Sequence, residues 1–264
     1  MERRELGRGR QALRRGGRLS DTRAFYEAGY SLPDAAEAQR LGRWRALGAR
    51  SKAAHARALC ARAGLEPGSL VEIGCGDGAL LAELRGLAPV LDGFELSVPA
   101  AEMARRHVPE ARRVEPYDGA RVPAGDGEYD LAVLSHVLEH VPEPAPLLAE
   151  AARVARWVLV EVPLEANRSA ARPGKRAEAA RIGHLHAFDR AAVRELIAGA
   201  GLEVAAELAD PLPFAHHAFF AEGRAARARA AAKWALRAGL HRLAPRRAER
   251  LFTVHYAALA LRRG

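Results

Sequence analysis

From residue 70 onward, short apolar segments alternate with segments whose apolar residues recur every three or four positions. The short segments have the length and nearly unbroken apolar character of buried parallel strands. They lie at 70–73, 90–97, within 112–120, 129–135, 157–163, 202–208 and 253–261. The periodic segments predict helices, as in 78–87, where Leu80, Leu81, Leu84 and Leu87 share one face. This alternation predicts an α/β fold with a doubly wound, mostly parallel sheet, in which ligands lie at the carboxyl ends of the strands.

The other segments indicate how the chain is organised around that sheet. Residues 1–45 predict a basic N-terminal arm with helical stretches, and residues 46–264 predict one folded domain. Within the domain, the long polar loop 164–188 is interpreted as a lid over a substrate, and 211–252 as a helical insertion before the last strand. Because the arm precedes the first strand, deletion of residues 1–23 is expected to leave the fold and the ligand affinity unchanged.

The formal net charge of +9 is unevenly distributed. Residues 1–23 carry +5 and residues 221–252 carry +7, so the rest of the chain carries −3. Specific nucleic-acid binding requires cationic contacts near the site, and we therefore expect none. The 221–252 segment is instead a candidate for peripheral contact with a membrane surface or another anionic partner.

Two further features of the composition bear on location. The chain has two cysteines, Cys60 and Cys75, without the spacing of a metal site, which is typical of a reduced, cytoplasmic protein. Its apolar segments all fall short of the roughly 20 residues that span a bilayer. The sequence does not predict an oligomeric state.

The segment "LVEIGCGDGALLAEL" at 70–84 joins a strand to a helix through a glycine-rich loop. Gly74, Gly76 and Ala79 fit the dinucleotide pattern G-x-G-x-x-A. Glu72 and Asp77 argue against a phosphate here, since like charges about 4 Å apart repel by roughly 4 kcal/mol at an effective dielectric constant near 20. S-adenosylmethionine has no phosphate and carries a sulfonium and an ammonium, which carboxylates attract. The loop therefore predicts S-adenosylmethionine as the cofactor.

These residues, with "YDLAVLSHVLEHV" and "GHLHAFDRAAVRELIAGAGLEV", resemble the class I S-adenosylmethionine-dependent methyltransferases of the small-molecule type. The resemblance implies a Rossmann-like, seven-stranded sheet with an antiparallel last strand. It also implies that Gly74 and Gly76 approach the methionine part, that Glu95 holds the ribose, and that Asp118 accepts from the adenine amino group. The expected cofactor-binding residues are Glu72, Gly74, Cys75, Gly76, Asp77, Glu95, Leu96, Asp118, Gly119 and Ser135.

Three histidines are candidates for the base that would deprotonate an acceptor hydroxyl. His136 follows the fourth strand, and His184 and His186 end the predicted lid. Histidine suits this work because its pKa lies near 6.5. If 184–186 is extended, both imidazoles point to the same side, and we favour His186 over His184.

A metal site is the rival interpretation of the same histidines. His136-x-x-Glu139-His140 with a distant histidine resembles, in spacing, the Glu-x-x-Glu-His metal site of small-RNA 2′-O-methyltransferases, but has histidine in the first position. We therefore expect a base and no metal.

The predicted function is O-methylation of a small molecule or glycan. Two alternatives stay open at this point: an RNA or protein methyltransferase that uses the basic segments, and a non-catalytic relative of the fold. The sequence identifies neither the acceptor nor the acceptor atom.

Overall fold

One seven-stranded sheet organises the molecule, and the computed structural model describes it within residues 19–30 and 34–263. The first 18 residues of the predicted arm lie outside the described residues. The strands are β1 (Ser69–Ile73), β2 (Val90–Glu95), β3 (Arg113–Pro116), β4 (Tyr129–Ser135), β5 (Ala155–Pro163), β6 (Leu202–Asp210) and β7 (His255–Arg262).

The strand order is β3-β2-β1-β4-β5-β7-β6. Strand β7 pairs antiparallel with both β5 and β6, while the pairs among β1 to β5 are parallel. The predicted sheet, including its antiparallel last strand, is confirmed. The order reverses between β1 and β4, and the crevice at their carboxyl ends is the position where such sheets bind ligands.

Helices cover both faces of the sheet. They are α1 (Leu19–Tyr30), α2 (Ala35–Ala63), α3 (Ala79–Glu83), α4 (Val98–His107), α5 (Pro144–Val154), α6 (Pro173–Arg181), α7 (Arg190–Gly199), α8 (Phe214–Ala218), α9 (Gly223–Leu243) and α10 (Pro245–Leu251). Their apolar faces form two buried clusters, one on each side of the sheet. Alternate residues of β1 divide between them, with Val71 and Ile73 in one cluster and Leu70 in the other.

Helix α2 runs across the predicted boundary between arm and domain at residues 45 and 46. Asp34 caps its start by accepting hydrogen bonds from the backbone N–H groups of Ala36 and Glu37, and Gly64 ends it in the left-handed conformation. No proline interrupts the 29 residues between these caps. The predicted arm and the domain therefore share one continuous helix.

The 164–188 segment is also more ordered than the predicted loop. A bridge between Leu164 and Phe188 closes it, and α6 lies inside it with no buried residue. The 211–252 insertion consists of α8, α9 and α10, as its helical pattern predicts.

Candidate active site

The glycine loop between β1 and α3 is held from two sides. The backbone N–H groups of Gly74 and Cys75 donate to Phe94 O on β2, at 2.7 and 3.2 Å. Gly74 has a φ of 79°, and a Cβ at this position would lie 2.6 Å from Val137 Cγ2 in the turn after β4. Glycine is required here because both the left-handed backbone and the close approach exclude a side chain. The loop therefore abuts the residues that follow β4.

Three carboxylates are buried around this loop. Glu72, Asp77 and Glu95 are 3%, 4% and 6% exposed. Burial raises the pKa of Glu72 and of Glu95, and repulsion from the neighbouring carboxylates raises both pKa values further. Asp77 is neutralised by Arg45 of α2, whose Nε donates to it at 2.5 Å. A cation bound in this crevice would relieve the remaining repulsion.

Glu95 has a structural role that the sequence does not reveal. Its carboxylate accepts hydrogen bonds from the backbone N–H groups of Gly76, at 2.8 Å, and Ser97, at 2.9 Å. These bonds connect the end of β2 to the glycine loop. Glu95 therefore shapes the loop, in addition to lying where the resemblance implies a ribose contact.

The other predicted cofactor residues lie at or just after the carboxyl ends of β1, β2, β3 and β4. Asp118 is exposed and accepts from the backbone N–H groups of Ala120 and Arg121, both at 2.8 Å, which fixes its carboxylate beyond β3. Leu96 and Gly119 are partly exposed, and Cys75 and Ser135 are buried. The Ser135 hydroxyl is buried without a hydrogen-bond partner among the described residues.

Helix α1 packs against the crevice, which the sequence does not predict. The Tyr30 hydroxyl lies 2.6 Å from the position that a Cβ at Gly76 would occupy. Arg23 donates to Tyr117 O at 2.9 Å, and the Tyr26 ring makes an edge contact with His140. The sequence of α1 shows only a weak amphipathic pattern, because the helix packs through aromatic side chains and lacks a continuous apolar face.

The residues of this crevice fit S-adenosylmethionine. The crevice offers a narrow glycine backbone, carboxylates that a cation would neutralise, and a buried Glu72 oxygen without a partner among the described residues. Gly74, Gly76 and Glu72 would hold the methionine end, and Glu95 and Asp118 the nucleoside end.

The turn after β4 begins with a constrained residue. His136 has a φ of 58°, in the left-handed region that a non-glycine residue adopts at a cost of about 1–3 kcal/mol. Its backbone N–H donates to Glu161 O at 2.8 Å, which keeps it in register with β5. Burial, Lys52 and His255 lower its pKa well below the usual 6.5, so the imidazole is neutral at neutral pH.

Glu139 is at the centre of this turn. It is completely buried, and neither carboxylate oxygen has a hydrogen-bond partner among the described residues. His136 Nδ1 lies 3.1 Å from Glu139 Oε1 but outside hydrogen-bonding geometry, and His140 Nε2 lies 3.9 Å from the same oxygen. Burial lowers the pKa of His140 to about 4.

The end of the 164–188 segment brings His184 to this turn. The backbone carbonyl of Glu139 accepts from Leu185 N–H at 2.8 Å and His186 N–H at 3.2 Å, which anchors the stretch. His184 Nδ1–H donates to Glu165 at 2.7 Å, and its ring centroid lies 4.7 Å from that of His140. Burial opposes protonation of His184, but the bond to Glu165 outweighs it and raises its pKa.

His186 is placed differently from His184. Its Nε2–H donates to the backbone carbonyl of Val141 at 2.9 Å, and its ring stacks on Phe188. The expectation that both imidazoles point to one side is corrected, because different partners hold the two rings. The structure brings His136, Glu139, His140 and His184 together and leaves His186 outside this group.

A second buried network extends from His136 to the surface. His136 Nε2 lies 3.0 Å from His255 Nδ1, which is 3.5 Å from Glu161 Oε1. His55 donates from Nδ1 to Glu161 at 3.3 Å and from Nε2 to Asp210 at 2.8 Å. Sequence reasoning missed this network because its members lie on β5, β7, α2 and β6, far apart along the chain.

This sheet order, with a glycine loop after β1 and an acidic residue ending β2, defines a class I methyltransferase. A family model described as a methyltransferase domain matches residues 43–207, more than half of the chain. The chain belongs to this family and is an S-adenosylmethionine-dependent methyltransferase.

Relatives and solved structures show the range of this fold. A ubiquinone biosynthesis O-methyltransferase of Thiobacillus denitrificans is 33% identical over 104 residues, which are 37% of this chain and 45% of that protein. The chain thus spans less than half of the length of the curated relatives that it matches.

Among solved structures, a possible histamine N-methyltransferase of Thermotoga maritima has a TM-score of 0.57 at 19% identity and covers 84% of this chain and 93% of that one. A geranyl diphosphate C-methyltransferase of Streptomyces coelicolor, in complex with Mg²⁺, geranyl diphosphate and S-adenosylhomocysteine, has a TM-score of 0.55 at 14% identity. It covers 74% of this chain and 72% of that one. These likenesses show the fold.

Within residues 19–30 and 34–263, no helix has the length and apolar character needed to cross a membrane.

Proposed function

We propose that this methyltransferase acts on a hydroxyl group of a small molecule. The observation that carries the proposal is the partly buried histidine turn after β4, which touches the glycine loop through Val137 and Gly74. A hydroxyl that enters this crevice meets imidazoles that can take its proton, which an O-methyltransferase needs. The similarity to O-methyltransferases of quinone biosynthesis supports the same acceptor atom.

We propose His136 as the residue that accepts the proton. It follows Ser135 at the end of β4, and burial keeps its imidazole neutral, which is the form that a general base needs. Burial also lowers its pKa, whereas the nearby Glu161 carboxylate favours the protonated ring. His255, Glu161 and His55 then form a path of close contacts toward Asp210, whose side chain is 30% exposed. S-adenosylmethionine supplies the methyl group, and the hydroxyl oxygen gains it as the carbon–sulfur bond breaks.

A product screen tests the acceptor class. Purified protein is incubated with methyl-labelled S-adenosylmethionine and matched panels of phenols, catechols, sugars and amines, and products are located by mass spectrometry. Labelled ethers from the hydroxyl panels are expected. Products labelled only on nitrogen or carbon, or label found only in RNA or protein, would contradict the proposal.

A variant tests the base. His136→Asn retains a residue that tolerates the left-handed backbone but cannot accept the proton at neutral pH. It should lower kcat by about 10²–10⁴ and leave the calorimetric affinity for S-adenosylhomocysteine unchanged. Full turnover in this variant would place the base elsewhere or show that positioning alone suffices.

A further inference from the structure

We propose that Glu139, His140 and His184 form a binding site for one divalent transition-metal ion such as Zn²⁺. Each residue offers one ligand atom, and these three atoms lie within 4.8 Å of one another. No ion is present in this cluster. Two imidazoles and one carboxylate match a catalytic zinc site that keeps a position open for substrate.

The state of Glu139 is an independent observation that points to a cation. The side chain is buried, and both of its oxygens lack hydrogen-bond partners among the described residues. A buried carboxylate without partners costs several kcal/mol, and a bound cation would remove this cost. His140 Nδ1 is buried and unpartnered in the same way within the described part of the chain.

The surroundings of His184 supply the outer shell that metal sites use. Its Nδ1–H donates to Glu165 at 2.7 Å, so its Nε2 carries the lone pair. Histidine ligands generally donate their second ring N–H to a carboxylate or a carbonyl group, which orients the ring. Glu165 is therefore a positioning residue for the proposed ligand.

The donor set also indicates which ion binds. Mg²⁺ and Ca²⁺ prefer oxygen ligands and are poorly served by two imidazoles. The proposed set leaves out His136, which the sequence spacing includes, because His136 Nε2 lies 3.0 Å from His255 Nδ1. His136 Nδ1 lies 3.1 Å from Glu139 Oε1, beside the proposed ligands. His136 thus stays free of the ion and available as the base.

The role of the ion in catalysis rests on the proposed function. An acceptor hydroxyl bound at the open position would lose its proton more readily, since a bound cation stabilises the oxyanion. The proton would pass to His136, and the oxygen would attack the methyl carbon as the carbon–sulfur bond of the cofactor breaks. Metal binding itself can be measured without any acceptor.

Cobalt titration of chelator-treated protein tests the site. Wild-type protein should bind one equivalent of Co²⁺ with visible absorption, and Zn²⁺ should displace it. Glu139→Gln and His184→Asn should lose the absorption, and Glu165→Gln should weaken binding by about 10–100-fold. His186→Gln, on the same stretch but outside the cluster, should bind Co²⁺ as the wild type does.

Two measurements keep the result unambiguous. Thermal unfolding and calorimetric S-adenosylhomocysteine binding show that each variant is folded with an intact crevice. If Glu139→Gln does not fold, the titrations of wild-type protein and of His184→Asn decide whether the metal site exists. Wild-type protein that binds no Co²⁺ or Zn²⁺, or folded variants that bind as tightly as the wild type, would overturn the site. Metal binding without O-methylated products would retain the site and contradict the proposed function.

Discussion

At the scale of single residues, the crevice concentrates negative charge that the folded protein neutralises only in part. Arg45 pairs with Asp77, whereas Glu72 keeps a buried oxygen without a partner among the described residues. Such groups lower the stability of the free protein and favour a cationic ligand, because binding removes the repulsion. Function and stability are therefore in conflict at Glu72.

Glu72→Gln should raise the free energy of unfolding of the free protein and weaken cofactor binding. The pKa of Glu72 is raised in the folded state, so its destabilising effect is absent at acid pH and grows as pH rises above its ordinary 4.5. Urea unfolding at several pH values and calorimetry with S-adenosylmethionine measure both effects. The expected loss of binding is about 1–3 kcal/mol.

Glu102→Gln is the matched control, since Glu102 is exposed on α4. It should change neither the free energy of unfolding nor the affinity for S-adenosylmethionine. Unchanged cofactor affinity in Glu72→Gln would remove Glu72 from the binding site.

His55 is a buried positive charge, in contrast to the buried carboxylates of the crevice. Burial opposes its protonation, but the hydrogen bonds to Asp210 and Glu161 outweigh this and raise its pKa to about 9. Because both ring nitrogens donate to carboxylates, His55 is an imidazolium that neutralises the completely buried Glu161. The charge of this network therefore depends on pH.

The stability provided by His55 should be lost at alkaline pH. A pKa that is higher in the folded state gives stability that is complete below about 6.5 and falls as pH rises through about 9. The difference in free energy of unfolding between wild type and His55→Gln should therefore shrink from pH 6 to pH 10, measured by urea unfolding. Asp210→Asn removes one carboxylate partner of His55, so it should similarly reduce this difference in free energy of unfolding. A difference that is constant across this range would show that His55 is neutral in the folded protein.

At the scale of elements, the helices that precede β1 contribute to the site. Helix α2 supplies Arg45 and His55, and α1 covers the glycine loop with Tyr30. Thr22 is 2% exposed and Arg23 bonds to Tyr117 O, so deletion of residues 1–23 would cut a packed helix. We therefore expect a harmless deletion to end at residue 18 and not at residue 23.

Deletion of residues 1–33, which removes α1, should weaken cofactor binding by about tenfold or more, because buried aromatic contacts over the loop are lost. The rest of the fold should remain, since the sheet and α2 are retained. Deletion of residues 1–18 leaves α1 whole and should bind normally. Calorimetry and thermal unfolding compare the two truncated proteins. Equal affinities for the cofactor would show that α1 does not close the crevice.

At the scale of the whole molecule, charge and apolar exposure coincide on α9. The helix contains six lysine and arginine residues and no acidic residue, and it buries no residue. Leu236 and Leu243 are 73% and 85% exposed. The contact with an anionic surface expected from the sequence stays a prediction, and α9 is its best candidate.

Vesicle binding tests this prediction. The protein should sediment with vesicles that contain anionic lipid, less so at high salt, and the double variant Leu236→Ser/Leu243→Ser should bind more weakly. Vesicles of neutral lipid are the control. Equal sedimentation with both lipids, or no effect of the leucine changes, would contradict the prediction.

The sequence by itself determined the doubly wound sheet and the glycine loop, whereas the antiparallel last strand was implied by the family resemblance. Periodicity and loop chemistry are local properties, so each segment carries its own signal. Glu72, Gly74, Asp77 and Glu95 could be proposed as cofactor-binding residues because they lie in or just after strands β1 and β2. The short turn after β4 likewise made His136 a candidate base.

Only the tertiary structure decided which side chains meet. His184 joins Glu139 and His140 while His186 does not, because backbone hydrogen bonds to Glu139 set the rotation of that stretch. The network of His55, Glu161, Asp210 and His255 joins residues up to 200 positions apart. No local pattern encodes such contacts, since they depend on how strands and helices pack together.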